Sequence, residues 1–256
     1  MTKISAVIIT ANEEKKIAKC LSSLQGVADE IIVLDSHSTD RTAAICKEFG
    51  VRFYQQDWKG YGAQKNDAIA LAKYDYILSL DADEYLSEEL QHAINKAKQQ
   101  GLTGAYRMNR LNIYYGYALK HGMTYPDFKV RLFHRKEARW SLRAVHETPD
   151  VNAGVKVQTV TGYLMHPSKD SLHDYISTIN QYTTLGAKVY YESGKRTTIL
   201  RIFFGPAFTF IQGYFFKLGF LDGGPGFIMA LTQSVDNFLK YSKLYFMQRN
   251  PPKLKD

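Results

Sequence analysis

A chain of 256 residues, 45% hydrophobic and 13% aromatic, is long enough for one well-filled domain with an appendage and too apolar to stay disordered. Its two cysteines, Cys20 and Cys46, exclude a disulfide scaffold or a cysteine-rich zinc module and point to a reducing compartment. The formal charge of +8 is unevenly spread: residues 1–106 sum to −3 and 144–193 to −2, whereas 107–143 sum to +7 and 194–256 to +6, a pattern that argues against a diffuse nucleic-acid binder.

The run Ile4–Thr10 is apolar and β-branched, as in a strand covered on both faces, and no cleavable leader pattern is read around it. Residues 13–24 place Ile17, Cys20, Leu21 and Leu24 on one helical stripe. Residues 30–34 predict a second buried strand, 39–49 a helix closed by Gly50, and 51–54 a third strand. A third helix over 62–73 and a fourth strand over 76–80 follow. Ser87 caps a helix to about residue 100, with Glu88 and Glu89 in the first turn, where the helix dipole favours them. Strand and helix alternating four times predict a parallel α/β sheet, in which ligands bind at the carboxyl ends of the strands. Beyond residue 100 the pattern changes. Short β-like runs at 106–108 and 130–133, an alternating strand over 155–165 and a helix over 171–192 lead into a tail that holds ten of the 14 phenylalanines.

The strand ends are polar: Thr10, Asn12 and Glu13 after the first, Asp35 to Asp40 after the second, Asp81-Ala82-Asp83-Glu84 after the fourth. Asn, Asp, Ser and Thr at such places often cap the next helix, and Thr39 or Asp40 is expected to do so. Asp81 and Asp83, one residue apart after an apolar strand, can converge on a divalent cation that shares its coordination with substrate phosphates. There is no phosphate-loop signature and no Gly-x-Gly-x-x-Gly after the first strand, which argues against a kinase, ATPase or dehydrogenase of the usual kinds. The glycines at 60 and 62 read as a plain turn before a helix.

The segments SAVIITANEE, DEIIVLDSHSTDRT and YDYILSLDADEYL resemble the nucleotide-sugar domain of family 2 glycosyltransferases. DFKVRLFHRKEARW, AVHE and GFLDGGPG are similar to one branch of that family, which includes lipopolysaccharide-core glucosyltransferases. The resemblance implies an α/β fold of the GT-A type, a parallel-rich sheet flanked by helices. Residues 1–193 would form the transferase domain (1–100 the nucleotide half, 101–193 the acceptor half), and 194–256 a C-terminal helical extension. It implies that Thr10, Asn12, Glu13 and Asp35 line the nucleoside pocket, that Lys65 and Asn66 lie near the nucleotide, and that Asp81 and Asp83 bind Mg²⁺ or Mn²⁺, Asp83 more directly. His146 would be a third metal ligand or a diphosphate contact, with a structural role as the alternative.

Transfer of a sugar from a nucleoside diphosphate needs charge neutralisation at the leaving diphosphate, a base for the acceptor hydroxyl and in-line placement of the two. Glu147 is the expected catalytic base, with Asp127 and Asp150 as rivals, and one displacement would invert the anomeric centre. Arg131 and Arg135 could meet the diphosphate or an anionic acceptor, whereas Arg110, Lys136 and Arg139 read as solvated. Tyr114, Tyr115 and Tyr117 either stack on an acceptor sugar or pack in the core. Residues 202–216 carry no charge but are short and interrupted for a span, and 226–247 read as an amphipathic helix. The tail is expected to lie on an anionic membrane, the cytoplasmic face of the inner membrane, where a lipid-linked or lipopolysaccharide saccharide acceptor would be met, with packing on the domain core as the alternative. A sugar nucleotidyltransferase, which would want a Gly-rich, Lys-containing loop after the first strand, and a non-catalytic membrane-associated binding protein are the rival readings.

Overall fold

The structure is a computed structural model, and it describes residues 2–142, 148–169 and 171–250. The chain divides into two compact units: Met1–Leu111 with Asp127–His166, and Asn112–Pro126 with Pro167–Asp256.

The first unit begins with β1 (Ile4–Thr10), α1 (Ile17–Leu24), β2 (Glu30–Asp35), α2 (Thr42–Glu48), β3 (Arg52–Gln55), α3 (Tyr61–Ala70) and β4 (Tyr76–Asp81). After β5 (Tyr85–Leu86), α4 (Glu88–Gln100) leads into β6 (Ala105–Tyr114). A short β7 (Tyr117–Ala118) in the second unit is followed by β8 (Phe128–His134), β9 (Ala138–Trp140), β10 (Pro149–Val151) and β11 (Val157–Lys169). The main sheet runs β3-β2-β1-β4-β8-β6-β11-β5. β3, β2, β1 and β4 are parallel, and β8 enters antiparallel beside β4, with Ile77 opposite Phe133. Strand β1 is buried along its whole length because both faces are covered. Ile4, Ala6 and Ile8 join Ile17, Leu21 and Leu24 of α1 and Leu90 and Ile94 of α4. Val7 and Ile9 join Ala68 and Ile69 of α3, Phe133 and Trp140 on the other face.

The four expected strands and their connecting helices are present, but two helices begin later than their periodicity suggests. Helix α1 starts at Ile17, because the amides of Glu13 and Glu14 are taken by Thr42 Oγ1 (2.8 Å) and Asp40 Oδ2 (3.1 Å). Helix α2 starts at Thr42, because the Thr39 amide donates to Asn12 Oδ1 (2.8 Å) and Asp40 Oδ1 accepts from the Thr42 amide (2.9 Å). Amides in those first turns would have no carbonyl partner inside a helix, and the two rim loops supply them with side-chain acceptors instead.

In the second unit β7 pairs with the end of β6, Tyr117 opposite Tyr114. Helix α5 (Leu172–Glu192), helix α6 (Ile199–Ile211) and helix α7 (Gly223–Arg249) follow, with a π-helical turn, Gln212–Phe216, and a 3₁₀ turn, Gly219–Asp222, between the last two. Helix α7 packs against both α5 and α6. Ala187, Ile202, Tyr241 and Leu244 form its small core, and Lys243 Nζ reaches Asn180 Oδ1 at 2.7 Å. Because α5 packs on α7, it groups with the tail, so the unit border falls at 166/167 where the sequence reading places it at 193/194. The apolar run is longer than 202–216: by length and composition the 18 residues Ile199–Phe216 suffice to cross a membrane. The aromatic side chains of this run face outward, Phe203 being 75% exposed and Phe216 74%.

Candidate active site at the carboxyl ends of the parallel strands

Asp81 ends β4, and after the turn that follows Asp81 and Glu84 share Arg131 while Asp83 meets a different partner. Asp81 keeps 29% of its side chain exposed and meets Lys65 Nζ (2.7 Å) and Arg131 Nη2 (3.0 Å). Burial alone would raise its pKa, but the two cations hold it well below the usual carboxylate range. Arg131, only 4% exposed, also pairs with Glu84 Oε1 at 2.7 Å, and Glu84 has no exposure at all. Glu84 Oε1 is shared with Arg110 at 3.4 Å, and Glu84 Oε2 accepts from the Asp81 amide at 3.2 Å. The indole of Trp140, fixed by its Nε1–H to Ser79 Oγ (3.1 Å), lies under both cations: Lys65 Nζ is 4.1 Å and the Arg131 guanidinium 5.3 Å from its rings. Two cations are thereby locked on the rim beside the β4 end, where an anion would be received.

Asp83 faces elsewhere. Its Oδ2 lies 3.3 Å from His166 Nε2 at the end of the first unit. Burial pushes its pKa up, but the His166 contact outweighs this and leaves it below the ordinary value. Glu13 from the β1 end stands in the same neighbourhood, its carboxyl raised first by burial and then by the Asp83 charge. His166 thus stands beside Asp83, while His146 and Glu147 lie outside the described residues. Among the described residues no three His, Cys, Asp or Glu side chains converge as a complete metal cage. Asp83 and His166 fit a half-built site whose remaining ligands would be substrate oxygens, the usual arrangement for a hard cation shared with phosphates.

The other strand ends form the second part of the rim. Thr10 Oγ1, at the end of β1, is buried and has no hydrogen-bond partner among the described residues. Asn12, at φ +55°, bridges the two loops: its amide donates to Ser38 Oγ (2.8 Å) and its Oδ1 accepts from Thr39. Asp35 is buried and its carboxylate accepts from the Ser38 amide (2.8 Å), the Ser38 hydroxyl and the Gln55 amide group (3.1 Å). A base or ribose reaching Asp35 would take the place of Ser38 or Gln55.

Several expected residues serve other ends. Asn66 uses both ends of its amide on the Trp140 main chain, donating to its carbonyl (2.9 Å) and accepting from its N–H (3.1 Å), so it positions the indole beneath Lys65. Arg135 donates to the Ala72 and Tyr74 carbonyls, at the end of β8 away from Asp81, and is no diphosphate contact. Arg110 is not solvated but paired with Asp127 and Glu84. Asp127 is held by Arg110 and Lys129, and Asp150 stands exposed on the β9–β10 ribbon, paired opposite Arg139. Tyr114 packs in a core with Tyr175, whereas Tyr117 is exposed. His166, Glu84 and Trp140 were not foreseen. For His166 the available signal is its place one residue past the alternating run that ends at 165.

The model described as glycosyl transferase family 2 matches residues 5–161. Over 252 residues the chain is 33% identical to the lipopolysaccharide core biosynthesis glycosyltransferase LpsC of Rhizobium meliloti, covering 94% of this chain and 92% of that one. It is 32% identical over 255 residues to an uncharacterized glycosyltransferase of Rickettsia typhi, covering 95% and 87%. Among solved structures, residues 1–349 of TarS from S. aureus align over 99% of this chain and 93% of that one, with a TM-score of 0.48 and 12% identity. The fold and the polar rim at its strand ends define an α/β glycosyltransferase. The chain belongs to glycosyltransferase family 2, and its relatives include a lipopolysaccharide-core enzyme.

Proposed function

We propose that this enzyme is an inverting, metal-dependent hexosyltransferase. It moves a hexose, glucose from UDP-glucose in the first instance, onto a saccharide acceptor of lipopolysaccharide core or another cell-surface glycan. The observation that carries this reading is the β4 end, where two buried cations, an aspartate held ionised and a second aspartate beside a histidine share one rim. Lys65 and Arg131 receive the diphosphate. Asp83 and His166, together with Asp81, would hold Mg²⁺ or Mn²⁺, which would supply charge neutralisation at the departing diphosphate. Thr10 Oγ1, Asn12 and Asp35 receive the nucleoside, and Glu147 takes the proton of the acceptor hydroxyl. The enzyme works peripherally at the cytoplasmic face of the inner membrane. There the exposed aromatic face of α6 and the basic residues Lys195, Arg196, Arg201 and Lys217 meet an anionic surface that carries the lipid-linked acceptor.

The test is a panel of nucleoside diphosphate sugars, assayed for hydrolysis and transfer with and without Mn²⁺. Asp83→Ala and His166→Ala are expected to lose at least a hundredfold in metal-dependent turnover and to weaken Mn²⁺ binding. Glu147→Gln is expected to bind donor normally and lose transfer. Full activity in Asp83→Ala, or activity untouched by chelator, would rule out the metal reading.

A further inference from the structure

On the sheet rim beside Asp35 stand two rings to which the chemistry above gives no task. Trp58 and Tyr61 meet edge to face with centroids 4.7 Å apart, and they are 50% and 53% exposed. A half-exposed indole forgoes much of the stabilisation that burial would give it. The segment that carries the pair, between β3 and α3, is fixed on both sides. The Gln56 amide donates to the Asp35 carbonyl at 2.9 Å, and Asp57 Oδ1 lies 3.0 Å from His37 Nε2. Gln64, fully buried, donates to Ser36 Oγ at 3.1 Å. A Cβ on Gly62 would lie 2.0 Å from the Ser141 carbonyl oxygen, so the first turn of α3 sits directly on that backbone. Rings mounted on such a rim lose little freedom when a ligand arrives.

The sheet order says which ligand part would reach them. The cations Lys65 and Arg131 mark the diphosphate end at β4, and β3 is three strands away in the order β3-β2-β1-β4. Tyr61 itself stands one turn before Lys65 on α3, about 6 Å along the helix axis, so one nucleoside diphosphate can touch the rings and the cations together. A nucleobase offers a flat π face and gains most from an aromatic partner. The end of β1 supplies none, its residues being Thr10, Ala11 and Asn12. His37, at the end of β2, has its Nε2 engaged by Asp57.

We infer that Trp58, braced edge-on by Tyr61, is the stacking face for the nucleobase of the donor, an inference that rests on the donor-site reading above. The chain has two tryptophans, both of which emit, and comparison with Trp58→Phe separates the signal of the exposed Trp58 from that of the buried Trp140. UDP with Mg²⁺ is the probe. UDP is expected to quench the emission of the wild-type protein, and Trp58→Phe to remove most of that quench. Trp58→Ala should raise the UDP Kd about tenfold and Trp58→Phe by no more than about threefold. If Trp58→Ala binds UDP like the wild type, the inference is wrong and the donor site stands. If Trp58→Ala weakens UDP-glucose but not UDP, the face serves the hexose and the inference is likewise wrong. If the wild-type protein binds none of UDP, GDP, ADP, CDP or dTDP, the donor-site reading falls first and takes the inference with it.

Discussion

At Asp29 a single carboxylate fastens the amino end of β1. It accepts from the Ile4 amide (2.9 Å) and pairs with Lys98, whose Nζ also donates to the Val27 carbonyl (2.9 Å). Burial raises its pKa, but the Lys98 and Ile4 contacts prevail and hold it below the ordinary value. A carboxylate depressed in the folded state stabilises above its unfolded pKa, and that contribution fades as pH falls through the folded one. Asp29→Asn should therefore cost about 1–3 kcal/mol at pH 7, chiefly by leaving Lys98 unpaired. The deficit should begin to shrink below about pH 4, the unfolded carboxylate range, and vanish only below the lower folded value. Denaturant unfolding at pH 3.5 and pH 7 measures this, and an equal deficit at both values would show that the charge is immaterial. At this scale the sequence disclosed the acids of the rim, because a continuous apolar run that ends abruptly in Asp81 marks a strand end. It did not disclose their partners. Arg131 meets Glu84 across 47 positions, and His166 meets Asp83 across 83, and pairings at such separations leave no local spacing to read.

Among the elements, β1, β2 and β4 were legible almost to the residue, since strands covered on both faces are written as unbroken β-branched runs. The helix starts were not, because Asn12, Asp40 and Thr42 trade hydrogen bonds between loops that lie far apart in the chain. The motif 219–226 acquires its physical reason only in three dimensions. A Cβ on Gly226, in the first turn of α7, would stand 2.0 Å from the Gly219 carbonyl oxygen, so backbone lies on backbone at the turn into the last helix. Gly226→Ala should destabilise the second unit by about 1–3 kcal/mol through overpacking. Gly224→Ala, with open space around its Cβ, should be close to neutral. Thermal melts of the two variants side by side decide it, and equal melting temperatures would contradict the packing argument.

For the whole molecule, the uneven charge separates into tasks. Arg110 and Arg135 of the first basic island are consumed by internal partners, and Arg131 stands at the β4 end beside Asp81. The basic residues flanking α6, by contrast, are exposed next to Phe203, Phe204, Phe208 and Phe216. Phe203→Glu with Phe208→Glu should abolish flotation with vesicles rich in anionic lipid and leave the melting temperature and UDP binding unchanged. Flotation as strong as wild type would remove the membrane role from this face. The division of the molecule was the least legible feature, because residues 112–126 leave one unit to complete another. His121 in that excursion binds Asp222, its ring Nδ1 2.8 Å and its amide 2.9 Å from the carboxylate, and the Gly122 amide donates to the Lys217 carbonyl (2.8 Å). During synthesis the excursion leaves the ribosome about a hundred residues ahead of its anchor, so it stays untethered until nearly the whole chain has been made. The same hundred-residue gap makes any fragment ending near 193 a poor miniature of the enzyme, because it keeps His121 and discards what holds it.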